Sequence, residues 1–346
     1  MKKIIFSMAV MTATLFASCS KDSDTINQEL STPIEGSVVS LSFVEESSTT
    51  RAFFDDKAAA EDWEKELYSV TIFAFDASDG SLIVRRDFSK TEMDNKESVF
   101  ALPGTSAGDN VNVVVVANCD IPMSTVTLAT LKATVNSNLS DYNGTFSEVS
   151  TDAKRDDGFV MTSYNDVTVL AGTTIIKATL ERTVAKVAIE MALAEGFSDR
   201  YSGDVRIESV KVSNTPSTST LHSTFPFAST PNKDYSFVQT PNSASGTFQN
   251  LLYIYESDKP TSDSEKVLLT IEATYDMDGD FTTTTNDQTP MTYTMTLEDD
   301  DIEKVERNSY YRISGTISGL SGSDAEIRIT VSDWSNVTDK DVSLGN

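Results

Sequence analysis

The 346-residue sequence is short of histidine, cysteine and positive charge: it has one His, two Cys, and 27 Lys and Arg against 53 Asp and Glu. A lone imidazole, His222, leaves a histidine-based metal site without a second ring, and its Ser/Thr-rich surroundings predict a solvated loop residue. Cys19 falls at the end of an N-terminal apolar leader, so Cys119 is the one thiol of the body and no internal disulfide can staple it. The formal charge of −26 repels phosphate backbones and argues against nucleic acid as a partner. Beyond the leader, no apolar run approaches the roughly 18 residues of a membrane helix. A Gly-rich phosphate loop, a nucleotide fingerprint and a cysteine pair at zinc spacing are all missing from the sequence, and no cofactor is expected.

Two short motifs invite a chemical reading and lose it to context. The stretch "GTSAG", Gly104 to Gly108, fits G-x-S-x-G, but a nucleophile elbow needs a helix after Ser106. The residues that follow, "DNVNVVVVAN", have the pattern of a strand, so a loop between strands is expected and no enzyme. In "DMDGD", Asp276 to Asp280, the third acidic position before the glycine and the closing glutamate of an EF-hand are missing, which leaves Asp278-Gly279 as a hairpin turn. Asp299 to Asp301 reads as a solvated acidic turn.

What the sequence has in quantity is period-two alternation. In "LYSVTIFAFD", Val70, Ile72 and Ala74 point one way and Thr71, Phe73 and Phe75 the other, and Asp79-Gly80 turns the chain back into "LIVRRDF" as a hairpin. Nine further segments, from "VNVVVVAN" to "AEIRITVSDW", repeat the pattern between Gly, Ser, Asn, Asp and Pro clusters, which predicts an all-β fold of sandwiches. Helical composition is confined to "DDKAAAEDWEKE" and "TLATLKATV", the latter with Ser124 or Thr125 as its cap. The body is longer than a single core usually serves, and a boundary near Arg182 and Thr183 divides it into 52–183 and 184–346. The polar region from Asn214 to Gly246 is expected as loops.

The chain opens with Lys2 and Lys3, an apolar run from Ile4 to Ala17, and then Ala17-Ser18-Cys19, which has the form of a signal peptide over 1–18. "FASC" resembles a bacterial lipobox, in which the cysteine is acylated; Lys21 and Asp22 resemble the charged export tag of surface lipoproteins. A second cut is foreshadowed further on. "EGSVVSLSFVEE" is a strand with Val39, Leu41 and Phe43 on one face, and the polar "ESSTTR" that joins it to "AFFDD" is the kind of segment proteases cut. Cleavage after Arg51 would remove the lipidated 19–51 segment together with that strand. Filling the resulting gap with three or four apolar side chains is worth roughly 5 to 12 kcal/mol gross. The gap would therefore accept a strand from another molecule by β-augmentation. The tail "DWSNVTDKDVSLGN", with Val337, Val342 and Leu344 among polar residues, is a candidate donor, and head-to-tail exchange propagates into a fibre.

The order of lipobox, strand, T-R-A-F, the V-T-I-F-A-F-D hairpin, V-V-V-V-A-N, R-T-V-A-K-V, R-N-S-Y-Y-R-I, V-S-D-W and polar tail resembles the major fimbrial subunits of the Bacteroidales, the FimA-type pilins of type V pili, over almost the whole chain. That resemblance implies two transthyretin-like Greek-key β-sandwich domains with few short helices. It implies a lipoprotein precursor on the outer membrane with Cys19 as the lipid site, and an arginine-specific, trypsin-like protease cutting between Arg51 and Ala52. It also implies a removable strand around Val39, Leu41 and Phe43, and polymerisation with itself and other fimbrial subunits in an extracellular fimbria. The donor strand is placed at Val337, Val342 and Leu344. The alternative on the same fold is a tip or accessory adhesin whose loops at 213–247 contact a host glycan or protein.

Overall fold

Alternating residues become strands through about half of the described residues, and the helices among them are single turns or little more. The computed structural model describes residues 36–43, 54, 60–122, 124, 127–137, 139–151, 157–222, 233–244, 246–282, 287–299, 301–320, 325–334 and 340–344. In its first half the strands are β1 (Gly36–Phe43), β2 (Val70–Asp76), β3 (Leu82–Asp87), β4 (Glu97–Pro103), β5 (Asn110–Ala117), β6 (Val135–Asn136), β7 (Met161–Thr168), β8 (Thr173–Ala178) and β9 (Glu181–Arg182). The second half continues with β10 (Val184–Leu193), β11 (Asp204–Thr215), β12 (Ser219–Thr220), β13 (Tyr235–Gln239), β14 (Asn242–Ala244), β15 (Thr247–Tyr255), β16 (Leu268–Asp276), β17 (Gln288–Thr296), β18 (Ser309–Ile317), β19 (Ala325–Asp333) and β20 (Lys340–Leu344).

Among the described residues, four of the five sheets draw their strands from one side of Thr183, and the fifth pairs β6 with β12 across it. Before it, a three-stranded sheet of order β4-β1-β8 accompanies a five-stranded sheet of order β3-β2-β5-β7-β9. After it come a six-stranded sheet, β14-β15-β10-β18-β19-β20, and a four-stranded sheet, β13-β11-β16-β17. One core cluster gathers Val39, Leu41, Ile72, Val113, Val115, Phe100 and Ile176, and runs on into Val184, Tyr253 and Trp334 of the second half. A second lies between the two later sheets around Ile189, Ile271, Tyr293 and Ile313.

The hairpin read from Asp79-Gly80 forms between β2 and β3, with Gly80 in the left-handed region at φ 72°. Both faces of β2 are buried, because Phe73 and Phe75 pack in a separate cluster with Ile121, Leu131 and Leu221 on the side away from the sandwich core. Helix α1 (Lys90–Asn95) starts at a reciprocal capping box of Ser89 and Glu92. Helix α2 (Leu128–Lys132) is capped at Thr127, not at Ser124 or Thr125, because Thr127 and Thr130 close a capping box on each other. Of "DDKAAAEDWEKE", the described part forms one 3-10 turn, Asp62–Lys65. Within the polar region expected as loops, β12, β13 and β14 are strands, each finding an edge to pair with.

Candidate functional site

β1 lies between two strands that have no other ladder partner among the described residues. It pairs antiparallel with β4 from Gly36↔Pro103 to Ser42↔Glu97 and parallel with β8 from Val38↔Thr173 to Phe43↔Ala178. Phe43 extends the first ladder by donating its N–H to the Lys96 carbonyl at 3.0 Å. Taking β1 away would leave the facing edges of β4 and β8 with open donors and acceptors, which is the property that lets one strand be replaced by another.

Period two puts Val39 and Leu41 inward, where both are fully buried. By register Val39 stands across from Phe100 and Thr174, and Leu41 across from Ser98 and Ile176. Phe43 is half-buried, its ring 5.6 Å from that of Phe88. The outer face of this sheet carries Val38, Val99 and Ile175 at 39%, 57% and 68% exposure. Beneath β4 a polar brace fixes the sheet corner: Glu92 accepts from the Ser98 hydroxyl at 2.7 Å and pairs with Arg86, which also reaches Ser98. Burial pushes the Glu92 carboxyl up, but hydrogen bonds from Ser89 and Ser98 outweigh it and leave the group below the usual carboxylate range.

Arg51 and Ala52 lie outside the described residues, as do Cys19 and Val337. The sequence around the junction is nonetheless bracketed by fixed points. On one side β1 ends at Phe43; on the other, Phe54 stacks on Phe146 with centroids 6.3 Å apart and its carbonyl accepts from Arg312 Nε at 2.6 Å. Val342 and Leu344 fall in β20, the edge strand of the six-stranded sheet, whose backbone pairs with β19 alone among the described residues, Val342 across from Ile329 and Leu344 across from Ile327.

A buried polar cluster, absent from the sequence reading, lies where the turn after Phe54 meets β10. Glu64, fully buried in the turn after Phe54, binds Lys186 Nζ at 2.9 Å, the Tyr253 hydroxyl at 2.9 Å and the Trp334 indole N–H at 3.2 Å. Arg182 donates to the Glu64 carbonyl at 3.0 Å and lays its guanidinium 4.5 Å from the Trp334 ring centre. Burial lowers the Lys186 pKa against the pull of Glu64, and burial with the Glu64 charge raises that of Tyr253. The available signal was a lysine inside the apolar run "VAKVAIEM": both faces of β10 are covered there, so Lys186 needs a buried counter-charge.

Ser106 sits in the turn from β4 to β5, a loop between strands. Asp278-Gly279 turns β16 into β17; oxygens of Asp276, Asp278 and Asp287 lie within 4.8 Å of one another, and Asp276 also accepts from Gln288. His222 is not solvated as expected. It is half-buried with its ring centroid 4.2 Å from that of Tyr164, and burial, with Lys132 and Arg307 nearby, lowers its pKa to about 4.

A family model described as "Fimbrillin-A associated anchor proteins Mfa1 and Mfa2" matches residues 32–340. No curated protein matches. Among solved structures, a Bacteroides eggerthii protein assigned to cell adhesion is similar at TM-score 0.60 and 15% identity, covering 88% of this chain and 97% of that one. A fimbrilin (FimA) from Porphyromonas gingivalis is similar at TM-score 0.55 and 16% identity, over 88% and 99% of the two chains. The tip fimbrial protein Mfa3 of the same organism, with a C-terminal truncation, follows at TM-score 0.53 and 16% identity, over 86% and 100%. At these identities the likeness is one of fold.

Proposed function

We propose that this chain, which belongs to the family of the fimbrillin-A associated anchor proteins Mfa1 and Mfa2 and so is a subunit or accessory protein of a cell-surface fimbria, is a polymerising subunit assembled by strand exchange. The precursor is exported as a lipoprotein through Cys19 and held at the outer membrane. A trypsin-like protease cuts after Arg51, β1 departs with the lipidated segment, and the gap between β4 and β8 takes the C-terminal tail of another subunit. We take the two pairs of sheets as two transthyretin-like sandwiches divided at Thr183. The observation that carries this reading is that β1 is the one ladder partner of both β4 and β8 among the described residues, with Val39 and Leu41 fully buried.

The test is limited trypsin digestion of purified precursor, followed by N-terminal sequencing and size together, with Arg51→Ala as control. A body starting at Ala52 that grows into ladders, while Arg51→Ala stays monomeric, supports the reading. The description of the matching family as associated anchor proteins favours a second one, a tip or accessory subunit. In that case the cut body stays monomeric at high concentration, or caps fibres made by another subunit without extending them.

A further inference from the structure

Resting on that reading, we infer the register and direction of the exchange: Val342-Ser343-Leu344 of one subunit takes the place of Val39-Ser40-Leu41 in another, running the same way along β4 and β8. The two strands share the tripeptide Val-Ser-Leu, once in the removable strand and once in the tail. In β1 its valine and leucine fill the two fully buried positions, and its serine points outward.

Sliding the tail against these two positions leaves one solution. A shift by one residue turns every side chain to the other face, presenting Asp341 with Ser343, or Ser343 with Gly345, to the core. A shift by two toward Phe43 buries Lys340 in the place of Val39, and a shift by two the other way buries Asn346 in the place of Leu41. Burying an unpaired ammonium or amide among apolar residues is heavily disfavoured. Only the matched register fills both fully buried positions with apolar side chains and leaves the polar Asn346 at the half-buried place of Phe43. Direction follows from size and from the edges. A reversed tail would press leucine into the place shaped for Val39 and leave valine short in that of Leu41. It would also meet β4 parallel and β8 antiparallel, with the evenly slanted bonds on the wrong edge.

The matched register has visible consequences. Asp341 replaces the partly exposed Val38, beside Ala101, so the outer face of the sheet becomes less apolar on assembly. Asn346 stands where Phe43 did, so the ring contact with Phe88 is not reproduced.

Disulfide trapping reads the register directly. In a full-length precursor carrying Cys19→Ser and Cys119→Ser, Asp341→Cys is combined in turn with Ala101→Cys, Val99→Cys and Glu97→Cys. These three β4 residues lie across from Val38, Ser40 and Ser42. Directly opposed residues come within disulfide reach and diagonal ones do not. After tryptic cutting and oxidation, the expected result is an intersubunit disulfide ladder with Ala101→Cys and its loss with the other two. A ladder with Val99→Cys marks a slipped tail and one with Glu97→Cys a reversed tail; either overturns the register while the strand-exchange reading stands. Failure of every chain to polymerise, including the cysteine-free parent, overturns both. A second set is independent of cysteine placement: Ser343→Asp should still assemble, whereas Val342→Asp and Leu344→Asp should not, and assembly by all three would overturn the register.

Discussion

Replacing Leu41 by alanine should loosen β1 by a predictable amount. Its side chain is fully buried, and β1 is held by ladders on both edges, so the sheet has little freedom to close around the space left. That restriction places the cost in the upper part of the usual Leu→Ala range, about 3 to 5 kcal/mol. At about 2 °C per kcal/mol for a body of this size, the uncut precursor should lose about 6 to 10 °C in Tm. Ser40→Ala, on the outer face, should change it by less than about 1 °C. Once Arg51 is cut, β1 stays by non-covalent contacts alone, and the same loss becomes a release at least about 100-fold faster. Thermal unfolding by circular dichroism measures the first effect, and size-exclusion of nicked protein at timed intervals measures the second. Equal Tm values for Leu41→Ala and Ser40→Ala, or equal release, would refute the idea that inward-facing apolar contacts retain the strand.

Glu64→Gln should cost about 3 to 5 kcal/mol in urea unfolding, because Lys186 is left buried without its counter-charge; adding Lys186→Met should restore much of the loss. Gly203→Ala would put a Cβ 1.8 Å from the Asp276 carbonyl oxygen, backbone that a rotamer cannot move. The expected loss is about 3 kcal/mol or more, seen in the urea midpoint. Glu92 has a depressed native pKa, so its contribution is complete above its unfolded value and is lost as the pH falls through the native one. Glu92→Gln should therefore melt below wild type at pH 7, and the two curves should meet on acidification.

Much of the fold was legible because strands advertise themselves. Val39, Leu41 and Phe43 alternate with serines, and Asp79-Gly80 names its own turn. The sheet partners of β1 were not legible, since β8 pairs with it from more than 130 positions away and period two says which face a residue takes, not which neighbour. The small strands β12, β13 and β14 escaped notice because they pair along edges with polar residues. The cluster around Glu64 depends on four separated segments meeting, at Glu64, Arg182 to Lys186, Tyr253 and Trp334, and no one of them names its partners. His222 looked solvated among serines and threonines; only the fold brings Tyr164 and Arg307 to it.

A fibre joined by exchanged tails, as proposed, would also have to withstand being pulled. Tension would enter each body where the tail begins, and the last described residue before it is Trp334, fully buried, its backbone N–H bonded to the Asn308 carbonyl at 2.9 Å. Its ring lies against Phe159 of the first half, centroids 5.6 Å apart, and Tyr253 of the second, 5.7 Å apart. If tails are exchanged as proposed, force arriving there would be divided between the segments that carry Phe159 and Tyr253 before it could peel a single strand from its sheet.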